Sequence, residues 1–145
     1  MKRHESLVPL SRFHRKVLFL ALIARENAPN VNGYPTVPEQ KIDFAVAFYN
    51  QQLLDHFSVE EKLWNYFAGK YQSLRSLIDE LREERRQLHT LFLELEKEKS
   101  QSQLFLLGPQ LERHVRRQER ELFQGIQQTA SADDYEFIQS QVASG

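Results

Sequence analysis

Apolar residues recur along most of the chain at alternating steps of three and four, which is the spacing of one face of an α-helix. Similar series run from about Leu7 to Glu26, from Leu74 to Leu95 and from Leu104 to Leu122. The longest unbroken series consists of Ile42, Val46, Tyr49, Leu53, His56, Glu60, Leu63 and Phe67. No segment alternates apolar and polar residues as a half-buried strand would. The pattern therefore predicts an all-α protein with four long amphipathic helices.

The first two connections are marked by turn and cap residues. Asn27 to Pro35 is the one long loop, because it is rich in asparagine and contains glycine and proline. Thr36 followed by Glu39 predicts a capping box at the start of the second helix. Ala68–Lys70 contains a glycine and predicts the turn before the third helix.

Similar signals mark the later helix boundaries. Ser100 with Gln103 predicts the cap of the fourth helix, and Pro109 predicts either a kink or a later start. Ser131 with Asp134 predicts the cap of a short fifth helix. Four long helices joined mostly by short loops are typical of an antiparallel up-down-up-down bundle. We therefore expect a four-helix bundle of one domain, residues 1–145, with a short C-terminal fifth helix.

Composition narrows the function classes. The chain has 145 residues, a formal net charge of −1 and a pI near 6.5, so nothing favours nucleic acid or an anionic membrane as a partner. Glutamates interleave the basic stretches "REERRQ" and "RHVRRQER", which is typical of a solvated helix face. There is no cysteine, which excludes disulfides and thiolate metal sites.

The expected compartment and chemistry follow from other absences in the sequence. No apolar run approaches the length of a membrane span, and the stretch "MKRHESLVPL" lacks the apolar core of a signal peptide. We therefore expect a cytoplasmic protein. No nucleophile motif or glycine-rich phosphate loop is present, so we do not expect an enzyme.

Each apolar series is interrupted by polar residues, and positions equidistant from the turns place these residues at similar heights. The interruptions are His14, the pair His56 and Glu60, Arg85, and Gln118. Buried polar groups need partners. Residues four apart lie about 40° from each other around a helix, so the imidazole and carboxylate of the pair can face one ion. Iron, manganese and zinc suit these ligands, whereas a metal-free hydrogen-bonded layer is the alternative.

Three stretches resemble the hemerythrin-like (HHE cation-binding) family: "RHESLVPLSRFHRKVL", "LLDHFSVEEKLW" and "LGPQLERHVRRQERELF". The resemblance implies His14, His56, Glu60 and His114 as metal ligands. Members of the family are four-helix bundles. They typically hold two non-haem irons with histidines and bridging carboxylates, and they serve O₂ binding, oxidant or nitric oxide response, or iron sensing.

The fourth-helix motif of the family ends in His-x-x-x-Glu, and this chain departs from it. The fourth residue after His114 is Gln118, and Glu119 follows one position later. In a regular helix Glu119 lies about 140° from His114, so the two cannot bind one ion together. One bridging carboxylate of the family is therefore missing.

The third helix departs as well. Arg85 aligns with the position of the family's histidine, and His89, one turn later on the flank, is a weaker candidate ligand. Arginine stays protonated and cannot bind a metal. We therefore expect the Arg85 guanidinium to neutralise Glu60 and to donate to Gln118, supplying the positive charge that the ions supply in the family.

Two hypotheses follow, and neither includes a complete two-iron centre. In the first, His14, His56, Glu60 and His114 hold at most one ion, which is iron in the family. The protein would then respond to oxygen, redox state or iron, and O₂ or another small diatomic molecule would be its ligand. In the second, the chain is a metal-free interaction module in which an Arg85–Glu60 pair replaces the metals.

Overall fold

The computed structural model describes residues 2–144, and this range is helical almost throughout. The N-terminal turn is a 3₁₀ helix, Glu5–Leu7. Seven α-helices follow within the described range: α1 (Val8–Ala24), α2 (Pro38–Phe48), α3 (Leu54–Lys70), α4 (Gln72–Glu98), α5 (Gln101–Arg117), α6 (Phe123–Thr129) and α7 (Ala132–Ser144). The π-helical segments Tyr49–Leu53 and Gln118–Leu122 join α2 to α3 and α5 to α6. Residues 2–144 contain no strand, so the all-helical class is confirmed. No helix in this range is long and apolar enough to cross a membrane.

The helices pack mainly as sequence neighbours, with α3 on α4 and α4 on α5, and α1 packs along α5. Residues of α3 and α4 that contact each other lie at similar distances from the turn between the two helices. Arg75 binds the carbonyl of Ala68 near the turn, and Arg82 binds Glu61 farther away. These two helices therefore run in opposite directions.

Two buried apolar clusters lie on either side of the polar positions. One cluster includes Val17, Leu53 and Val115, and the other includes Leu10 and Leu63. Along α1, along α3, and along α5 with the π-helical segment after it, the buried polar residues fall between members of the two clusters: His14, His56, Glu60, His114 and Gln118. Burial of each large apolar side chain contributes about 1.5–3 kcal/mol, so the clusters fix the helices that carry the polar layer.

The boundaries around the second predicted helix differ from expectation. The cap of α2 is Val37 rather than Thr36, because Pro38 occupies the first helical turn, where a missing N–H is tolerated. The glycine near the end of α3 does not break the helix, which continues through Lys70 and leaves Tyr71 alone as the connection to α4. The predicted capping box at Thr36 and the predicted turn at Ala68–Lys70 are therefore wrong.

Later boundaries give a mixed outcome. Ser100 is the N-cap residue of α5, but its hydroxyl pairs with Ser102 instead of a backbone N–H. The helix runs through Pro109 without interruption, so a later start is excluded. The capping box of the C-terminal helix is confirmed, since Ser131 N donates to Asp134 at 2.8 Å and Asp134 N donates to Ser131 Oγ at 3.3 Å.

The C-terminal helix α7 is fixed against α3 and the N-terminal turn. The Asp134 carboxylate is fully buried and accepts hydrogen bonds from Lys70 Nζ at 2.5 Å, Tyr66 at 2.6 Å and the Tyr71 hydroxyl. Burial disfavours its charge, but these donors outweigh that effect and hold the pKa of Asp134 well below its usual range. These contacts therefore hold the start of α7 against the C-terminal end of α3.

Candidate metal centre

His14 on α1 and the pair His56 and Glu60 on α3 meet in the core. One ligand atom from each residue lies within 4.8 Å of the other two. Glu60 Oε2 accepts from His56 Nε2 at 3.0 Å and from His14 Nε2 at 3.3 Å. All three side chains are buried. The geometry therefore brings two imidazoles and one carboxylate to a single point.

The pKa values describe a charge-paired cluster. Burial opposes a charge on His14, but hydrogen bonds to Glu119 and Glu60 outweigh it and raise the pKa of His14 to about 9. Burial alone would raise the pKa of Glu60, whereas the charge of His56 and hydrogen bonds from both imidazoles hold it well below its usual range. At neutral pH the site therefore contains an imidazolium between carboxylates.

Glu119 contacts the other nitrogen of the His14 ring. His14 Nδ1 donates to Glu119 Oε2 at 2.5 Å, and the hydroxyl of Ser11 lies 2.9 and 3.0 Å from the two carboxylate oxygens. Arg3 adds a salt bridge at 3.1 Å. Burial opposes the charge of Glu119, but the hydrogen bond from His14 and its other contacts outweigh it and lower its pKa.

Sequence reasoning missed this role of Glu119. The prediction used regular helical angles, which turn Glu119 away from His114. The chain is π-helical from Gln118 to Leu122, and Glu119 contacts α1 rather than His114. No signal in the apolar periodicity marks a π-helical turn.

His114 lies in the same layer but outside the three-residue group. Its Nδ1 is 2.9 Å from Glu84 Oε1, and Arg117 donates to the other oxygen of that carboxylate at 2.7 Å. Burial opposes the charge of Glu84, but the contacts from His114 and Arg117 lower its pKa. The Nε2 atom of His114 is buried and has no hydrogen-bond partner in residues 2–144.

Arg85 does not neutralise Glu60, which corrects the sequence prediction. Its guanidinium pairs with Glu61 at 3.2 Å, donates to the carbonyl of Phe57 at 3.3 Å and lies 4.3 Å from the ring centre of Trp64. The imidazoles of His14 and His56 contact Glu60 instead. The predicted Arg85–Glu60 core is therefore absent from the described part of the chain.

The reason lies in an ambiguity of spacing on α4. Positions 84 and 85 both fit three-four steps between Leu81 and Leu88. The structure turns Glu84 toward His114 on α5 and Arg85 toward α3. Glu84 is therefore a second residue that sequence reasoning missed, although the same spacing allowed it.

His89 lies outside the polar layer. Its side chain is exposed, and its Nδ1 pairs with the hydroxyl of Tyr49. Burial raises the pKa of Tyr49 to about 12, although the charge of Arg85 opposes this shift. The structure therefore does not bring His89 to the group formed by His14, His56 and Glu60.

Unpartnered buried atoms in the layer are of the kind that a cation accepts as donors. Glu60 Oε1, His114 Nε2 and Gln118 Oε1 have no hydrogen-bond partner within the described residues. Each such atom costs about 1–3 kcal/mol when it is left unsatisfied. The unpartnered oxygen of Glu60 and the nearby Nε2 atoms of two histidines are the donor types that iron, manganese and zinc accept.

A surface groove reaches the layer at His56. The groove has a volume of about 340 Å³ and is lined in part by Phe13, Gln52, Val59 and Val142. The ring of Phe13 stacks on His56 with ring centres 4.2 Å apart. A small molecule in this groove would therefore meet the edge of the cluster without unfolding of the core.

Comparison with known proteins agrees with the geometry. A family model described as "Hemerythrin HHE cation binding domain" matches residues 9–126. The matched range includes His14, His56, Glu60 and His114. No curated protein and no solved structure matched the chain.

Proposed function

Because the chain belongs to the hemerythrin HHE cation-binding family, we propose that it binds one metal ion, iron in the first place, through His14, His56 and Glu60. The observation that carries the proposal is the meeting of one ligand atom from each residue within 4.8 Å in the buried core. Two imidazoles and a carboxylate suit iron, manganese or zinc.

The arrangement favours one ion over two. Gln118 offers an amide where the family has a carboxylate, and Arg85 faces α3 instead of the layer. His114 turns an unpartnered nitrogen inward but stands outside the three-residue group. We therefore assign His114 at most a supporting role and do not propose a complete two-iron centre.

The proposal includes the architecture. Helix α1, the continuous α2–α3 segment, helix α4 and the continuous α5–α6 segment would form the four arms of an antiparallel up-down bundle. The chain would be one domain with α7 as its short fifth helix. This arrangement supports the site because ligands from two arms meet at one height.

The proposed role is binding and response rather than catalysis. A bound iron would supply redox chemistry and an open coordination position for O₂ or another small diatomic molecule. The groove beside His56 supplies the route for such a ligand. The chain's own residues hold the ion, exclude bulk water and keep His14 oriented, which supports an oxygen, redox or iron response in a cytoplasmic protein.

One observation favours the alternative of a metal-free interaction module. Glu60 Oε2 already contacts both imidazoles, so the cluster is charge-paired without an ion. In this alternative the His14–Glu60–His56 network replaces the metals on an otherwise similar scaffold.

Metal analysis separates the two functions. The purified chain is stripped with a chelator, loaded anaerobically with ferrous iron, desalted and measured for iron per chain by mass spectrometry. We expect one iron in the parent, none in His56→Ala, and one in the matched control His89→Ala, whose histidine is exposed. Two irons would refute the one-ion site, and none in the parent would favour the metal-free alternative. Equal loss in both variants would refute the ligand assignment.

A further inference from the structure

We infer that Glu119 is a positioning residue that holds the His14 ring with its Nε2 turned toward Glu60. The inference rests on the proposed function, because Nε2 is the atom through which His14 would bind the ion. Glu119 contacts the ligand residue His14 and would not contact the ion itself.

The contacts to His14 divide cleanly between its two nitrogens. Nδ1 lies 2.5 Å from Glu119 Oε2, and Nε2 lies 3.3 Å from Glu60 Oε2. A carboxylate on one nitrogen fixes both the tautomer and the ring orientation of a metal-binding histidine. The hydrogen bond to Glu119 therefore keeps a proton on Nδ1 and directs Nε2 toward Glu60.

Glu119 is itself held from more than one side. Ser11 lies on α1 one turn before His14, and its hydroxyl reaches both carboxylate oxygens of Glu119. Arg3 donates to an oxygen of the carboxylate at 3.1 Å and to the backbone carbonyl of Glu119 at 2.9 Å. A carboxylate with this many donors has little freedom to leave the imidazole.

The π-helical segment Gln118–Leu122 contains Glu119 near its start. Single turns of π-helix within α-helices occur often at functional sites. Here the turn lies directly after the helix that carries His114, and it presents Glu119 to α1. The backbone irregularity therefore coincides with the contact that we assign to ligand positioning.

A second pair in the same layer has the same form. His114 Nδ1 contacts Glu84, which Arg117 holds in place, and His114 Nε2 is unpartnered in the described part of the chain. Two buried histidines thus each have a carboxylate on Nδ1 and Nε2 turned away from it. This repetition favours a role in orientation over a chance contact.

A purely structural role makes a different prediction. If Glu119 only joined α5 to α1, its loss would lower stability and leave the metal affinity of the folded chain unchanged. If it positions His14, its loss must also change the affinity and the protonation pattern of the ring.

The test uses the full chain, zinc as the probe and three variants. Zinc affinity is measured by competition with a chromogenic chelator, and ring protonation by nitrogen-15 NMR of histidine in the zinc-loaded protein. We expect Glu119→Ala to bind zinc about 10–100-fold more weakly than the parent. Glu119→Gln should recover part of the loss, because its amide oxygen still accepts from Nδ1. The matched control Glu112→Ala, on the outer part of α5, should bind as the parent does.

The NMR readout separates orientation from stability. The parent should show His14 protonated at Nδ1 and bound through Nε2, and Glu119→Ala should show a mixture of forms. Parent-like affinity and ring signals in Glu119→Ala would overturn the inference and leave the proposed function standing. Absence of zinc binding in the parent would overturn both. If Glu119→Ala does not fold, Ser11→Ala replaces it, and unchanged affinity there would also overturn the inference.

Discussion

Raising the pH should destabilise the metal-free protein through His14. Both nitrogens of this ring face carboxylates, Glu119 at 2.5 Å and Glu60 at 3.3 Å, so folding favours the protonated ring. The pKa of His14 is raised from 6.5 to about 9. Its contribution to stability is therefore present in full below pH 6.5 and is lost as the pH rises through about 9.

The size of the effect follows from the same values. A rise in pKa from 6.5 to about 9 corresponds to roughly 3 kcal/mol of stability. The His14 side chain is only 2% exposed, so solvent screens the interaction little. A loss of this size is a large part of the 5–15 kcal/mol that typically stabilises a domain.

Urea unfolding of the chelator-treated protein at a series of pH values measures this loss. The parent should lose roughly 3 kcal/mol more than His14→Gln between pH 6.5 and a pH above 9. The exposed-histidine control His89→Gln should follow the parent. Parallel curves for the parent and His14→Gln would refute the reasoning, because the imidazolium would then contribute nothing.

Two further predictions concern packing and proton release. Gly108→Ala should destabilise the chain by about 1–3 kcal/mol, because a Cβ there would lie 2.7 Å from the carbonyl oxygen of Ala21 and 2.9 Å from Arg25 Cγ. Gly69→Ala meets no atom of the described residues within 4 Å and should be neutral or stabilising; urea unfolding of both variants checks this, and equal destabilisation would contradict it. Zinc binding at neutral pH should release about one proton, because His14 must give up the proton on Nε2; calorimetry in buffers of different ionisation enthalpy measures it, and release unchanged in His14→Gln would count against that source.

Much of the fold could be predicted because the helices are long and their apolar spacing is regular. The pair His56 and Glu60 was predictable for the same reason, since residues four apart share a face of a regular helix. His14 could be placed beside them because its position interrupts the apolar series of its own helix. These predictions depend only on regular helical geometry.

The remaining features depend on departures from that geometry or on choices that the spacing leaves open. The π-helical segment containing Glu119 is irregular, so the angles of a regular helix do not predict its contact with His14. Glu84 and Arg85 fit the three-four pattern of α4 equally well. Packing against α5 places Glu84 beside His114, and packing against α3 places Arg85 beside Glu61.

Charge balance links these departures to the number of ions. The carboxylates of Glu60 and Glu119 contribute two negative charges to the cluster, and the His14 imidazolium supplies compensating positive charge when no ion is bound. A divalent cation bound to neutral imidazoles brings the sum with these two carboxylates to zero. A second divalent cation would leave +2 in the core. The carboxylate of Glu84, beside His114, already pairs with Arg117. Burying uncompensated charge is costly, so the chain's own charges favour a site for one ion.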